Sequence, residues 1–226
     1  DFSKLNYGAS LNWENFRGRR EQLKVLIQFG YDEKLGFSYS IPYIDKKQTL
    51  GMSFGFSRTN NHEVSYGTVD NQVERVRLED YAHKSYQTFF SFGHRPDIYK
   101  THSVEVSYND HLYDDTVFQI NPDFYHGSGN RAQYFKLSYF YKNDHRDYRT
   151  YPLKGYYFDL LVEKLGLGFF PKSEINLINA KITLRKFWTF SRRWYFAGVF
   201  TGRIGNTENQ PCFLNSGIGY GRAFVR

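Results

Sequence analysis

The sequence predicts an all-β protein, an antiparallel up-and-down transmembrane β-barrel that is incomplete within these 226 residues. Three observations lead to this prediction. Apolar residues recur at every second position in about ten segments, mostly about 8 to 11 residues long, which suffices to cross a bilayer at a tilt. The apolar rows often end in an aromatic residue. The positions between them are mostly Gly, Ser and Asn, which suit a crowded, hydrated lumen.

Composition excludes several classes of protein. Aromatic residues make up 20% of the chain, which argues against intrinsic disorder. The mean hydropathy is −0.64, and no apolar run approaches the roughly 18 residues that a membrane helix needs. The single cysteine, Cys212, excludes an intrachain disulfide and a Cys-rich zinc site.

The predicted strands follow one another along the chain. Successive side chains of a strand point to opposite faces, so each segment has one apolar and one polar face. Clear alternation marks residues 5–13, 23–31, 35–43, 50–57, 103–108, 135–142 and 180–185, and weaker alternation marks 86–93, 156–163 and 194–203. No stretch shows a 3.6-residue period long enough to predict a helix. About ten strands are therefore predicted.

A soluble β-sandwich or small barrel also alternates, with its apolar face inward. Aromatic residues at the ends of the apolar rows favour the membrane barrel, because such barrels carry aromatic girdles at both interfaces. The residues that end the rows are Trp13, Tyr31, Tyr43, Tyr108, Tyr141 and Trp188. A soluble outer face would also carry more Lys and Glu than these polar rows do.

The lengths of the connections support the same topology. Short connections are predicted at 15–22, 44–49, 94–100 and 189–193, and long polar ones at 58–85, 109–133 and 204–226. If the strands run up and down, the long connections all lie at one end, as in outer-membrane barrels. The short connection at 32–34 is the exception on that side.

Two of the short connections contain residues that we predict to be structural. Asn15 and Gly18 belong to one turn, and Pro152 and Gly155 to another. Pro cannot donate to a strand ladder and is predicted to end a strand, whereas Gly permits the positive φ of a tight turn. Both are interpreted as ordinary turns between strands.

No constellation predicts catalysis, a metal site or a cofactor. His94, His102 and His111 lack the spacing of metal ligands. Asp110, Asp114 and Asp115 cluster beside Asn109, but the EF-hand pattern is absent, and a solvated acidic loop is favoured over a calcium site. We therefore predict that the protein is not an enzyme.

The net charge of +7 comes from basic residues that recur in many turns. They include Arg17, Arg19, Arg20, Lys46, Lys47, Arg146, Arg149, Arg192 and Arg193. Because they are scattered, nucleic-acid binding is not predicted. A solvated rim is favoured over contacts with anionic lipid headgroups or with an acidic partner domain.

Three motifs carry a resemblance to a known family. They are Trp13-Glu14-Asn15-Phe16-Arg17-Gly18, the stretch from His145 through Pro152 to Gly155, and the Gly-rich run 217–226 that ends in Val225-Arg226. In this order they resemble the carboxy-terminal barrel of the BamA and TamA type of outer-membrane assembly and translocation proteins, also called bacterial surface antigens.

The resemblance implies a sixteen-stranded barrel preceded by POTRA domains. Its sixth external loop folds into the lumen with a Val/Ile-Arg-Gly-aromatic motif, and Val225 and Arg226 match its first two residues. Residues 1–226 then form part of one barrel domain, strands two to eleven plus the start of that loop. The first strand, the last five strands and the POTRA domains are expected to lie outside this sequence.

The resemblance also implies a function. The family acts in the outer membrane of diderm bacteria, where it helps to insert or export β-barrel or secreted proteins without covalent chemistry. The implied partners are outer-membrane lipid, unfolded substrate proteins and periplasmic accessory proteins recruited through POTRA domains. The alternatives are a passive porin or substrate-specific channel, a soluble β-rich binding domain, a two-partner secretion transporter, and a barrel that carries a passenger enzyme.

Overall fold

A computed structural model describes residues 4–70, 72–125, 129–206 and 210–214. These residues form one short helix, α1 (Asp115–Ile120), and the strands β1 (Asn6–Phe16), β2 (Glu21–Gly30), β3 (Glu33–Ile41), β4 (Leu50–Asn61), β5 (Glu63–Val69), β6 (Gln72–Arg77), β7 (His83–His94), β8 (Lys100–Tyr113), β9 (Arg131–Asp144), β10 (Gly155–Leu165), β11 (Leu177–Thr189) and β12 (Tyr195–Gly205). None of the helices in the described residues is long and apolar enough to cross a membrane.

The ten longer strands form one sheet in the order β1-β2-β3-β4-β7-β8-β9-β10-β11-β12. Every neighbouring pair is antiparallel, and each strand pairs with the next long strand of the chain. The predicted all-β, up-and-down antiparallel fold is thereby confirmed. In the part of the chain that the structure describes, β1 and β12 are the free edges, so the sheet is an open portion of a barrel wall.

Several strands extend beyond the segments that alternate clearly. β8 covers Lys100–Tyr113, whereas the sequence predicted 103–108, and β9 and β11 are longer in the same way. Their added residues are largely polar or lie at the rims, where the backbone ladder continues although the apolar pattern has faded. Strand length is therefore fixed by pairing with neighbours, which a single-strand pattern does not report.

Two elements within the long connections were not predicted. β5 and β6 form a separate hairpin with a register shift between Ser65 and Gly67, which breaks the strict alternation. The helix α1 has six residues and is capped by Asp114, whose carboxylate accepts from the Thr116 amide. The prediction of no helix was wrong here because α1 spans less than two turns and produces no readable period.

Burial in the sheet is inverted relative to a soluble protein. Ser107 and Thr183, on the polar face, are 1% and 5% exposed, whereas Phe90 and Val106, on the apolar face, are 49% and 42% exposed. A soluble sandwich buries its apolar face. The sheet instead turns its polar face inward and its apolar face outward, which is the arrangement of a membrane barrel.

Candidate functional site

The polar, inward-turned side of the sheet, which we call the lumen face, carries a ladder of charges. Lys136 on β9 lies between Glu105 on β8 and Glu163 on β10, with its ammonium nitrogen 3.7 Å and 3.6 Å from their nearest carboxylate oxygens. The strand register places these residues in neighbouring positions. The ladder therefore ties three strands together through side chains as well as through the backbone.

The lumen face becomes basic beyond this ladder. Lys181 on β11 is directly opposite Arg203 on β12, and Arg185 lies on the same face of β11. The sequence predicted a lumen dominated by Gly, Ser and Asn, with a few charges. In the structure these charges lie mainly on β8–β12. The strand register brings them close together although they are far apart in sequence. Such a surface can bind polar or charged chain segments without covalent chemistry.

A cap formed by the long connections packs against the lumen face at one end of the sheet. Its centre is the fully buried pair Val117 of α1 and Phe124, and the partly buried Phe213 packs against them. Tyr113 and Tyr134, at the ends of β8 and β9, join the same cluster from the lumen face. The main hydrophobic core of the described residues thus lies at the mouth of the lumen.

The hairpin β5–β6 is held to this cap by polar contacts. The Asn121 side-chain amide donates to the Tyr66 carbonyl oxygen at 2.6 Å. The Cys212 thiol approaches the same carbonyl, with its sulfur 3.7 Å away. Three long connections, from β4, β8 and β12, therefore meet at Tyr66, and the cap is one assembly.

Two histidines form a pair beneath the cap. The His83 Nε2 and His111 Nδ1 atoms are 3.1 Å apart, and both rings stack with Tyr113 or Tyr134. The sequence singled out His111 but missed His83, since they are brought together only by the β7–β8 register. In the described residues, no group of three or more His, Cys, Asp or Glu could hold a metal ion.

The acidic residues near this cap have separate structural roles. Asp110 makes a two-pronged ion pair with Arg131 at 2.9 Å and 2.6 Å. Asp114 caps α1, and its pKa is held low by hydrogen bonds from the Thr116 hydroxyl and amide. Asp115 accepts from the Asn130 side chain at 3.0 Å. The expectation of a solvated acidic loop is therefore replaced by three carboxylates with separate partners.

The opposite end of the sheet, which we call the turn rim, consists of the short connections 17–20, 42–49, 95–99, 145–154 and 190–194. Basic side chains outnumber acidic ones there, and Arg19, Arg20, Lys46, Lys47, Arg192 and Arg193 are exposed. Large aromatic side chains lie among them, with Tyr148, Tyr151, Phe190 and Trp194 each more than two-thirds exposed. The turn rim is therefore both basic and aromatic.

The carboxylates of this rim are occupied by backbone amides. The Asp45 carboxylate accepts from the amides of Thr49 and Leu50 at 2.9 Å and 2.8 Å, and these bonds lower its pKa. Asp147 accepts from three amides, including those of Leu153 and Lys154, and its pKa is also lowered although burial opposes the shift. These two acids fold the turns and, within the described residues, form no ion pair with the basic side chains of the rim.

The structure places the four predicted turn residues at this rim. Asn15 adopts a φ of 61°, and its side-chain oxygen accepts from the Arg20 amide at 2.7 Å. Gly18 has a φ of 70°, and Gly155 begins β10 with a φ of 110°. Pro152 differs from the prediction, because β9 already ends at Asp144 and the proline lies inside a ten-residue connection. Val225 and Arg226 lie outside the described residues.

A family model described as the Omp85 superfamily domain matches residues 15–215. This chain belongs to the Omp85 superfamily. The resemblance to the BamA and TamA type of barrel is thereby confirmed, and with it membership of a family of outer-membrane assembly and translocation proteins. No curated protein matches the chain.

A solved structure has a similar fold over almost the whole chain. The chain is similar to BamA from Haemophilus ducreyi lacking POTRA domains 1–3, with 15% sequence identity and a TM-score of 0.64. The match covers 98% of this chain and 43% of the BamA chain. At this identity the likeness shows the fold, so the ten-stranded sheet is equivalent to part of an Omp85 barrel.

Proposed function

We propose that this chain is part of an outer-membrane barrel that helps to insert or export other proteins, acting by non-covalent contacts alone. The barrel resides in the outer membrane of a diderm bacterium. Its substrates are unfolded β-barrel or secreted proteins. Its further partners are membrane lipid and periplasmic accessory proteins that bind POTRA domains of the longer protein.

One observation carries this proposal beyond family membership. The lumen face is polar and charged, yet the aromatic cap around Phe124 and Phe213 packs against it at one end of the sheet. A passive pore needs an open path for water and solutes. A capped lumen suits a protein whose substrates bind to the strands of the barrel wall. An exposed strand edge can pair with an incoming chain by β-augmentation.

The test uses the full-length protein reconstituted in phosphatidylcholine vesicles. A urea-denatured outer-membrane barrel protein is diluted into them, and its folding is followed by heat-modifiable migration on a gel. We expect folding to be severalfold faster than in vesicles that hold an unrelated barrel of similar size. Equal folding rates would contradict insertion activity, and a parallel assay with a labelled secreted passenger tests export.

The channel alternative is supported by the charged ladder of Glu105, Lys136 and Glu163 on the lumen face. It makes an opposite prediction. A porin reconstituted in planar bilayers conducts steadily, whereas the capped barrel is expected to conduct little until the cap is loosened. A steady conductance of the unaltered protein, with no effect on substrate folding, would favour the channel.

A further inference from the structure

The outer face of the last three strands carries a cation at an unusual position. Lys186 on β11 points to the same side as Leu184 and Phe200, which face the bilayer. It lies three residues before the end of β11, about 10 Å along the strand at ~3.3 Å per residue. Trp188 lies two residues further toward the turn rim on the same face, and aromatic residues of this kind flank the apolar band of a membrane barrel where it meets the lipid headgroups.

A groove surrounds this lysine. In the strand register Lys186 lies between Tyr156 on β10 and Gly198 on β12, and the groove has a volume of about 590 Å³. The indole of Trp188 lies over Gly198, with ring atoms 3.2 Å and 3.4 Å from where a Cβ would be. Because Gly198 has no side chain, Trp188 packs directly over its backbone and forms one wall of the groove.

The charge of Lys186 has no partner in the described residues. Its ammonium makes no hydrogen bond or ion pair there, and its contact is the ring of Tyr156, 5.6 Å from nitrogen to ring centre. The adjacent connection adds Arg192 and Arg193, which are exposed and likewise have no acidic partner within the described ranges. A cation near hydrocarbon is costly unless an anion satisfies it.

We propose that this groove binds the headgroup of an anionic phospholipid of the leaflet on the turn-rim side. The phosphate oxygens accept hydrogen bonds from Lys186. The side chains of Arg192 and Arg193 attract the remaining negative charge of the headgroup, and Trp188 packs against the glycerol region. The acyl chains follow the apolar face at Leu184 and Phe200. The inference rests on the membrane placement proposed above but is independent of assembly activity.

The complementary charge identifies the occupant. A zwitterionic headgroup has no net charge to match the three basic side chains, whereas the headgroups of phosphatidylglycerol and cardiolipin are negatively charged. An acidic protein segment would match the charge but not the apolar walls, which continue into the bilayer-facing surface at Leu184 and Phe200.

The experiment measures lipid contact at Trp188 in the full-length protein. Nanodiscs of phosphatidylcholine contain increasing fractions of either brominated phosphatidylglycerol or brominated phosphatidylcholine, and bromine quenches indole fluorescence on contact. Subtracting the signal of the matching Trp188→Phe protein isolates this one tryptophan. We expect phosphatidylglycerol to be preferred at Trp188. Lys186→Gln should weaken the preference about fivefold, the size expected for one basic residue at an anionic surface.

Two further variants serve as controls. Lys164→Gln removes a lysine from the same outer face at the opposite end of β10, where the ammonium is hydrogen-bonded to Asn176, and it should leave the preference unchanged. Lys186→Arg should retain it, since a guanidinium also pairs with phosphate. Heat-modifiable migration shows that each variant is folded.

Two results would overturn the proposal. One is equal quenching by the two lipids, or no quenching by either, as expected if a protein segment fills the groove. The other is a preference that survives in Lys186→Gln. Neither result bears on whether the protein speeds substrate folding, so this failure is distinguishable from failure of the proposed function.

Discussion

At the scale of single residues, the turn rim shows how a few side chains fix the backbone between long strands. Asp45, Asp97 and Asp147 each accept from amides of their own connection. A carboxylate that accepts several amide bonds is stabilised in its charged form, so its pKa falls. These residues fold the turns, and Asp97 also pairs with Lys100, its carboxylate oxygen 3.6 Å from the ammonium nitrogen.

The first prediction concerns the pH dependence of these turns. The pKa of Asp147 is lowered from an ordinary value of 3.8, so its contribution to stability is complete above that value. It is lost as the pH falls through the lower pKa of the folded state. We expect the unfolding temperature, followed by heat-modifiable migration, to be flat above about pH 5 and to fall below pH 4.

Asp147→Asn supplies the control for this pH dependence. The amide keeps one oxygen acceptor but cannot titrate, so the variant should be less stable near neutral pH and should lose less on acidification. An unchanged acid response in Asp147→Asn would mean that other carboxylates cause the loss.

The second prediction compares two glycines of the turn rim. Gly155 has a φ of 110°, and a Cβ there would collide with the His145 carbonyl, whereas Gly18 has a φ of 70° with open space around it. Gly18→Ala should cost about 1 kcal/mol, the price of a left-handed alanine. Gly155→Ala should cost roughly 2 to 3 kcal/mol because strain and collision add.

Urea titration of the inserted barrel, scored by gel migration, measures this difference. Equal losses for the two substitutions would show that the strand start at Gly155 shifts easily, and that the close approach to His145 contributes nothing to stability.

At the scale of elements, we expect the cap to open while the strands of the sheet remain paired. Its core is made by α1, the hairpin β5–β6 and the segment 210–214, and it contacts the large sheet through residues near the ends of strands β8–β11. Elements that rest on one small core open more readily than a continuous strand ladder. The cap is therefore the natural site for a change between closed and open mouths.

The third prediction tests this separation. Phe124 is fully buried in the cap, so Phe124→Ala should remove roughly 3 to 5 kcal/mol of packing from it. We expect faster protease cleavage within 62–82 and 114–130 and a higher conductance in planar bilayers, while the barrel keeps its heat-modifiable migration. The matched control is Phe169→Ala, because Phe169 is 69% exposed at the same end of the sheet.

Loss of heat-modifiable migration in Phe124→Ala would contradict this view. It would mean that the cap is required to hold the strands together, and that the cap and sheet unfold as one unit.

At the scale of the whole molecule, the inward polar face is the property that separates a membrane barrel from a soluble sandwich. Gln87 and Phe90 lie on the same strand, β7, and point to opposite faces. The neighbours of Phe90 are Phe54 and Val106, all on the outer face, whereas Gln87 faces the lumen beside Asn109.

The fourth prediction follows from this arrangement. Phe90→Lys should destabilise the inserted barrel by about 2 to 4 kcal/mol, the cost of a basic residue facing lipid near the bilayer midplane. Gln87→Lys, three residues away, should be tolerated because it faces the hydrated lumen. Urea titration in vesicles measures both. Similar losses for the two variants would contradict the assignment of the faces.

Much of the sheet follows from sequence because period two is a local property. The alternation of Leu23, Val25 and Ile27 is enough to place β2, and the same reasoning located all ten strands of the large sheet. The hairpin β5–β6 and α1 escaped it. A bulge at Ser65–Gly67 interrupts one pattern, and α1 is too short to produce another.

Which side chains of a strand share a face can be read from the sequence, because alternation is a property of consecutive residues. The small polar residues also favoured an inward polar face, which the burial of Ser107 and Thr183 confirms, but the residues that meet on each face were found only in the folded sheet. The Glu105, Lys136 and Glu163 ladder, the pair of His83 and His111, and the groove at Lys186 all join residues on different strands. Such contacts depend on strand register, which is set by pairing across the whole sheet.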